Sequence, residues 1–276
     1  VLVSFSAAAG GYPFKAELAD GGARATVRGL VFELPARDRL RLVEEGKASY
    51  LLSHNIRVAG KNGMVAVYED FRDDRIELTA NTSERVVIRT DRSLGLHDYK
   101  GDGKKTPWDA ARLVTDYVFR KDVPGFVTVS RLIAHKPYFF ISWFTTASVP
   151  SARFAVDGAP LRRYPVKEDF SKSPDGYRTR AYSYITGESP DGRLWYLGKE
   201  FANFSPVADG KPGTFYTRSN ETPPSPGRTV SAGEEIVLSA ALGRLMEKDD
   251  LARLRALRSG DDMVPVLKRR KDWMCT

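Results

Sequence analysis

The histidines of this chain, His54, His97 and His135, are the residues best suited to proton transfer, because an imidazole titrates near neutral pH. His97 lies in a long polar segment, residues 93–109, which we predict to be a loop, and long loops on a β scaffold often carry function. With Tyr99 and a nearby arginine, His97 would supply the base, the acid and the charge neutraliser that β-elimination of a uronic acid requires. His135 stands at a predicted strand-to-turn junction, where a structural hydrogen bond is the alternative role. We take His97, Tyr99 and His135 as candidate catalytic residues.

The same segment has the spacing of a calcium-binding loop. Asp98, Asp102 and Asp109 fall at positions 1, 5 and 12 of such a loop, and Gly103 falls at position 6. Against this, Lys100 brings the wrong charge to a ligand position, and the last position holds an aspartate where a bidentate glutamate is usual. A lysine-rich turn is the alternative. Calcium is the one cofactor that the sequence suggests.

Two tryptophans are candidate platforms for a sugar, because an aromatic ring offers a flat apolar face to a pyranose. Trp108 lies outside any obvious strand, so we expect it to be exposed. Trp195 alternates with Arg193 along a predicted strand, so the two side chains should share a face. Packing in the core is the alternative role for both rings. The candidate substrate-binding residues are therefore Trp108, Trp195, Arg193 and His54.

These residues must be positioned by β-strands, because most of the chain has the period-2 apolar pattern of strands. The clearest pattern predicts three successive strands, Leu113–Arg120, Phe126–Ala134 and Tyr138–Thr145. The third is apolar on both faces, which is typical of a strand in the middle of a large sheet. One helix is predicted between Asp249 and Gly260. About a dozen or more strands, one late helix and no βαβ alternation indicate an all-β fold, a large β-sandwich with one short C-terminal helix.

The composition leaves the partner open. The net charge of +8 is spread along the chain, and it suits an acidic partner such as an anionic polysaccharide, but equally a solvated basic surface. The basic run at 268–271 is more typical of a solvated tail than of a nucleic-acid contact, so nucleic acid is not an expected partner. No run approaches the ~18 apolar residues of a membrane helix. A single cysteine, Cys275, excludes an intrachain disulfide but does not decide the compartment.

The predicted organisation is a single domain between two short terminal segments. Residues 1–12 resemble the end of a signal peptide or a linker, residues 13–264 form the β-sandwich, and residues 265–276 form a basic tail. This organisation predicts a secreted or periplasmic protein. A first edge strand followed by a small-residue linker is the alternative for the N-terminal segment, and a cytoplasmic location stays open.

Two segments resemble the galactose mutarotase-like supersandwich of carbohydrate-active proteins. Gly125–Phe144 resembles the pair of long central strands of that fold, Gly233–Leu242 resembles its closing strand, and the chain has the length such a domain requires. The resemblance implies a broad concave sheet face that is used for sugars. In family members this face is either a catalytic surface, as in mutarotases and some polysaccharide lyases, or part of a non-catalytic module attached to a glycoside hydrolase. The His and carboxylate motif of the mutarotases does not map onto this chain residue by residue.

Three functions therefore remain as hypotheses. The first is a carbohydrate-binding or accessory domain that acts on or binds polysaccharide, with an acidic glycan favoured by the basic charge. The second is a polysaccharide lyase or sugar epimerase that uses His97 and Tyr99 as an acid–base pair on the concave face. The third is a structural protein of the cell envelope without a ligand. The sequence contains no serine-hydrolase elbow, zinc-protease motif, phosphate loop or dinucleotide fingerprint, which excludes those classes.

Overall fold

The computed structural model confirms the all-β fold class with one short C-terminal helix. It describes residues 12–44, 47–50, 52–61, 63–97, 105–148, 153–156, 158, 162–163, 184–198, 202–205, 214–218 and 227–259. Within these ranges lie strands β1 to β19 and the helix α1 (Asp250–Ser259). The predicted basic tail, and the predicted leader segment apart from Tyr12, lie outside the described residues.

The first sheet is a five-stranded antiparallel meander at the start of the chain. Its strands are β1 (Lys15–Ala19), β2 (Gly22–Val27), β3 (Leu30–Leu34), β4 (Arg41–Glu44) and β5 (Lys47–Tyr50). Asp20 and Gly21, which connect β1 to β2, have φ values of 50° and 73°, as a hairpin turn with two left-handed residues requires. The sequence predicts this turn. On β2 and β3 alternate side chains are buried, so one face of this sheet packs into the interior.

The second sheet is much larger and follows the order β13-β12-β14-β15-β19-β10-β9-β8-β7-β6-β11-β17-β16, with β18 beside β11. Its long strands are β6 (Ser53–Gly60), β7 (Gly63–Asn81), β8 (Arg85–His97), β9 (Lys105–Arg120), β10 (Gly125–Ala134), β11 (Tyr138–Ser148) and β19 (Glu235–Leu245). Its short strands are β12 (Arg153–Val156), β13 (Arg162–Arg163), β14 (Tyr184–Glu188), β15 (Leu194–Gly198), β16 (Ala202–Ser205), β17 (Thr214–Arg218) and β18 (Arg228–Val230). Each of the paired strands is antiparallel to its neighbour.

The prediction of a loop is wrong for residues 93–97 and 105–109, and residues 98–104 lie outside the described residues. Residues 93–97 end β8 and residues 105–109 begin β9, and the two strands pair here through Gly95 and Pro107. Glycine and proline are poor strand formers, so the residues of this ladder have the composition of a loop. Pairing with neighbouring strands outweighs that local preference.

The second sheet has an inner and an outer face. The inner face of β8 carries Val86, Ile88, Thr90 and Arg92, all of them buried. The outer face of β8 carries Arg85, Val87, Arg89 and Asp91. Because successive side chains of a strand point to opposite faces, the same division holds for the neighbouring strands. The outer face of β9 includes Arg112 and Asp116.

The interior contains two apolar clusters with polar side chains between them. The first cluster lies under the first sheet, where the rings of Phe32 and Phe119 are 5.2 Å apart, and the second surrounds Trp143. Along β8, β9 and β10 the inner face passes from the first cluster to polar residues and then to the second cluster. We call these polar residues, with two from β6 and β7, the polar belt: His54, Glu69, Thr90, Arg92, Thr115 and Ser130.

Arg92 is the cation of the polar belt, and its side chain is only 1% exposed. Its guanidinium pairs with Glu69, and its Nε lies 3.0 Å from Oδ1 of Asp74. A further nitrogen donates a hydrogen bond to the backbone oxygen of Asp38, in the connection between β3 and β4. One buried cation therefore ties β7, β8 and the first sheet together, and its charge is matched by two carboxylates.

The helix α1 packs against the outer side of β10 and β19. Leu254 and Leu257 are buried there beside Val127, as their shared helical face predicts. Asp250 is fully buried at the start of the helix and accepts a hydrogen bond of 3.1 Å from Nη1 of Arg28. None of the described helices has the length and apolar composition needed to span a membrane.

Replacing Arg92 with leucine should destabilise the fold strongly, because Asp74 would lose its buried cation and Glu69 would keep only the partly exposed Arg39, whose Nε lies 3.7 Å from its Oε1. We expect a loss of about 3–5 kcal/mol in the free energy of unfolding, measured by urea denaturation. Arg72→Leu is the matched control, since Arg72 is 54% exposed and pairs with Asp70 at the surface. The control should lose at most about 1 kcal/mol. Similar small losses in both variants would contradict this view of the belt.

Candidate functional site

The outer face of β8, β9 and β10 holds an ordered group of charges. Asp116 accepts two hydrogen bonds from Arg89, 2.7 Å from Nε to Oδ1 and 3.0 Å from Nη2 to Oδ2. Nη2 of Arg131 donates a third bond to Oδ2, also 3.0 Å long. The register explains this geometry, because Arg89 lies directly opposite Asp116 and Arg131 is on the next strand. Asp116 therefore fixes two guanidinium groups at the surface of the sheet.

A cleft of about 310 Å³ lies beside these charges. It is lined by Thr79, Ala80, Arg85, Val87, Arg89, Asp116, Val118 and Val129. The valines form an apolar floor, and the arginines provide fixed hydrogen-bond donors at its edge. An apolar surface with a few fixed polar groups is the usual composition of a small-ligand site.

A second ion pair extends the charged surface along the sheet. Nε of Arg112 donates a 2.6 Å hydrogen bond to Oδ1 of Asp91, and Nη2 lies 3.3 Å from the backbone oxygen of Asp73. On β8, β9 and β10 the outer face carries the arginines at 85, 89, 112 and 131 against the aspartates at 91 and 116, an excess of positive charge that Glu77 of β7, opposite Arg89, partly offsets. This surface suits an anionic ligand.

Of the predicted catalytic residues, His97 lies on the same outer face, at the end of β8. It is half-buried and lies opposite Lys105 of β9. Tyr99 lies outside the described residues. His135 is exposed in the turn between β10 and β11, where its backbone N–H donates a 2.7 Å hydrogen bond to the oxygen of Ala110. This backbone bond does not involve the imidazole, so the role of the His135 side chain stays a prediction.

Of the predicted calcium ligands, Asp98 and Asp102 lie outside the described residues. Asp109 is exposed and accepts a 2.5 Å hydrogen bond from Nζ of Lys136, which lowers the pKa of this carboxyl. Across the described ranges, no group of three or more His, Cys, Asp and Glu side chains is arranged to hold a metal ion.

The two predicted tryptophan platforms are packing residues. Trp108 lies within β9, is half-buried and makes an edge contact with Tyr138, with 5.1 Å between ring centres. The prediction that Trp108 lies outside a strand is wrong. Trp195 is 6% exposed in the first apolar cluster, and the guanidinium of Arg244 lies 5.7 Å from its ring centre. Trp195 therefore offers no free ring face to a sugar.

Arg193 shares an ion-pair network with Arg244. Its Nη1 lies 3.2 Å from Oε2 of Glu44, and the same carboxylate pairs with Arg244. A further contact of 3.0 Å joins Nε of Arg193 to Asp191. These pairs connect the first sheet to β15 and β19, so the described contacts of Arg193 are structural.

His54, a predicted substrate-binding residue, belongs to the buried polar belt. Nε1 of Trp143 donates a 3.2 Å hydrogen bond to Nδ1 of His54, so the ring accepts at Nδ1. Its Nε2 lies 3.5 Å from Oγ of Ser130 on β10. Burial lowers the pKa of His54 to about 4, so the ring is neutral near pH 7. Only 7% of the residue is exposed, which leaves no surface for a ligand.

The pKa values of the two carboxyl groups beside Arg92, those of Glu69 and Asp74, are shifted in opposite directions. Burial favours the protonated form of Glu69, but the positive charges of Arg92, His54 and Arg39 and the hydrogen bond from Arg92 together outweigh burial and lower the pKa of this carboxyl. Burial raises the pKa of Asp74 to about 6 against the attraction of Arg92, and the negative charge of Glu69 raises it further. The cluster therefore takes up a proton at Asp74 in mildly acidic solution.

The residues of the charged cleft were missed by sequence reasoning. The alternation in β9 does place Asp116 on the face opposite Leu113 and Tyr117, which marks it as an outer residue. That signal does not reveal its partners, because Arg89 and Arg131 come together with Asp116 only through the register of three strands.

Comparisons with known proteins reveal structural similarity at low sequence identity. No protein-family model matches the chain, and no curated protein sequence matches it. Among solved structures, the Slr1438 protein from Synechocystis sp. PCC 6803 is 9% identical with a TM-score of 0.43, over 90% of this chain and 100% of that one. The α-galactosidase from Lactobacillus brevis is 9% identical with a TM-score of 0.42, over 87% of this chain and 40% of that one. A galactose mutarotase related enzyme from Lactobacillus acidophilus is 10% identical with a TM-score of 0.39, over 85% of this chain and 98% of that one.

Asp74→Asn should change the pH dependence of stability. Because the pKa of Asp74 is raised from 3.8 to about 6, the folded state binds this proton more tightly than the unfolded state, and ionisation above about pH 6 destabilises the fold. The variant should therefore be more stable than the parent by about 1–2 kcal/mol near pH 8. This advantage should shrink as the pH falls through 6 towards 4.

Urea denaturation of both proteins across this pH range measures the difference. His54 has the opposite dependence, since the stability from its lowered pKa is lost as the pH falls from 6.5 towards 4. That contribution is common to both proteins and cancels in the comparison. A difference that stays constant with pH would contradict the assignment of the proton to Asp74.

Proposed function

We propose that this protein binds carbohydrate on the outer face of β8, β9 and β10, with a preference for an acidic glycan. The observation that carries the proposal is the pair of guanidinium groups that Asp116 holds beside an apolar cleft. Arginine forks pair with carboxylate and sulfate groups through two parallel hydrogen bonds, and fixed forks lose little entropy on binding.

Binding without turnover is the function that the cleft supports best. The residues lining the cleft include no histidine, and its one carboxylate, Asp116, already accepts three hydrogen bonds from arginines. An acidic polysaccharide as ligand would be compatible with the secreted or periplasmic location that residues 1–12 predict.

Turnover by a lyase or epimerase is the second candidate. The supporting observation is the position of His97, which is on the same outer face and opposite a lysine. In such a reaction His97 would take the proton from the carbon next to the uronate carboxyl, and a cation would neutralise the charge that develops there.

Arg89→Lys should weaken binding of polygalacturonate about tenfold or more, although the charge is kept. Nε and Nη2 of Arg89 are bonded to Asp116, so a ligand would bind the remaining Nη1–Nη2 edge. A lysine cannot pair with Asp116 through two hydrogen bonds and also present such an edge, and hydrogen bonds to charged groups contribute about 1.5–3 kcal/mol. Isothermal titration calorimetry at fixed salt measures the effect. Arg24→Gln is the control, because Arg24 is a partly exposed arginine of the first sheet, away from the outer face.

Four results would contradict the proposal. One is equal affinity for a neutral galactan, and another is a loss in R24Q as large as the loss in R89K. Absence of saturable binding to any glycan would instead support a structural role. A rise in the absorbance of unsaturated uronates that His97→Ala abolishes would replace binding with lyase activity.

A further inference from the structure

Tyr68 lies on the outer face of β7, at the opposite end of β8 from the cleft. It pairs across the sheet with Gly95, which in turn pairs with Pro107 of β9. A Cβ atom at Gly95 would collide with Cζ and Oη of Tyr68, so the phenol ring crosses directly over the glycine backbone. One side of the ring therefore rests on the sheet, and the absence of a side chain at Gly95 makes this position available.

A cation accompanies this ring. Nζ of Lys105 lies 5.2 Å from the ring centre of Tyr68, and Lys105 itself is exposed. Burial is the first cause, and the nearby Asp70 the second, of a raised pKa for the phenol, so the ring is uncharged at neutral pH. Because Nζ of Lys105 lies over the ring, a uronate would stack on Tyr68 only after this exposed ammonium group turns aside, where it can pair with the acid group of the sugar.

The ring and the cleft lie on the same face of β8. Gly95 is six residues beyond Arg89, which corresponds to about 20 Å along a strand. The Arg112–Asp91 ion pair lies between them on the same face. A ligand that touches both ends must therefore be an extended chain and not a single sugar.

We propose that Tyr68 and Lys105 form a second sugar subsite, so that the outer face binds an extended acidic oligosaccharide along β8. This inference rests on the proposed function and adds the length of the ligand to it. A purely structural role for Tyr68, covering Gly95 as aromatic residues cover glycines in other sheets, predicts no effect on ligand length.

The test compares a galacturonate dimer with an octamer by calorimetry. The parent protein should bind the octamer at least tenfold more tightly than the dimer. Tyr68→Ala should lower the octamer affinity about tenfold, which corresponds to about 1.4 kcal/mol, and leave the dimer affinity unchanged. Tyr68→Phe should retain the octamer affinity, because the ring is kept.

Two further variants separate binding from structure. Lys105→Gln changes an exposed side chain and leaves the ring of Tyr68 in place. It should lower the affinity for the octamer and not for the dimer. This variant therefore tests the subsite even if Tyr68→Ala does not fold. Gly95→Ala keeps the phenol but forces it off the sheet, and it should also weaken the octamer. Tyr12→Ala is the control, because Tyr12 is 52% exposed and precedes the first sheet.

The possible failures are distinguishable. Equal affinities of the parent protein for dimer and octamer, or equal octamer losses in Y68A and Y12A, would overturn the second subsite and leave the proposed function intact. Failure of the parent protein to bind either ligand would overturn the proposed function and the subsite together.

Discussion

The arrangement of charges on the outer face of the second sheet depends on the burial of Arg92 on the inner face of β8. Arg92 is enclosed between Glu69 and Asp74, and it reaches the first sheet through the backbone of Asp38. A shift of one residue in the pairing of β8 would expose Arg92 and force Arg89 into the core. Burying an unpaired cation costs several kcal/mol, so the ion pairs of Arg92 set the register. The same register decides which arginines reach the outer face.

The ion pairs on the outer face follow from this register. Asp116 and Asp91 meet Arg89, Arg131 and Arg112 across neighbouring strands, and each carboxylate holds its partners in one geometry. Side chains that are fixed before a ligand arrives lose little conformational entropy when it binds. An array of fixed forks on a flat sheet is therefore better suited to a repetitive anionic polymer than the same arginines on a mobile loop would be.

The sequence was informative where burial decides the pattern. The strands β10 and β11 and the helix α1 follow from alternating or helical runs of apolar residues, and their predicted bounds agree closely with the structure. Residues 93–97 and 105–109 were misjudged, because Gly95 and Pro107 resemble loop residues until a neighbouring strand pairs with them. The strand structure of these residues depends on pairing with residues distant in the chain, and local propensity carries no information about that pairing.

The burial of two predicted site residues has a related physical cause. Trp195 and His54 were chosen for their chemistry, but both are enclosed by residues distant in sequence, such as Arg244 and Trp143. The polar belt, in turn, interrupts the apolar pattern of the inner face, so Arg92 looks like a surface residue in the sequence. The charged cleft needs the register of three strands, and that register is known only from the structure.

The most direct measurement is an NMR titration of the arginine Nε–Hε resonances with a galacturonate oligomer. Binding on the outer face predicts that the resonances of Arg89, Arg131 and Arg112 shift in a saturable manner, whereas the resonance of Arg24 on the first sheet stays in place. Saturable binding that moves Arg24 and leaves the outer-face arginines unchanged would contradict the assignment of the site. An oligomer that moves none of these resonances would contradict carbohydrate binding itself.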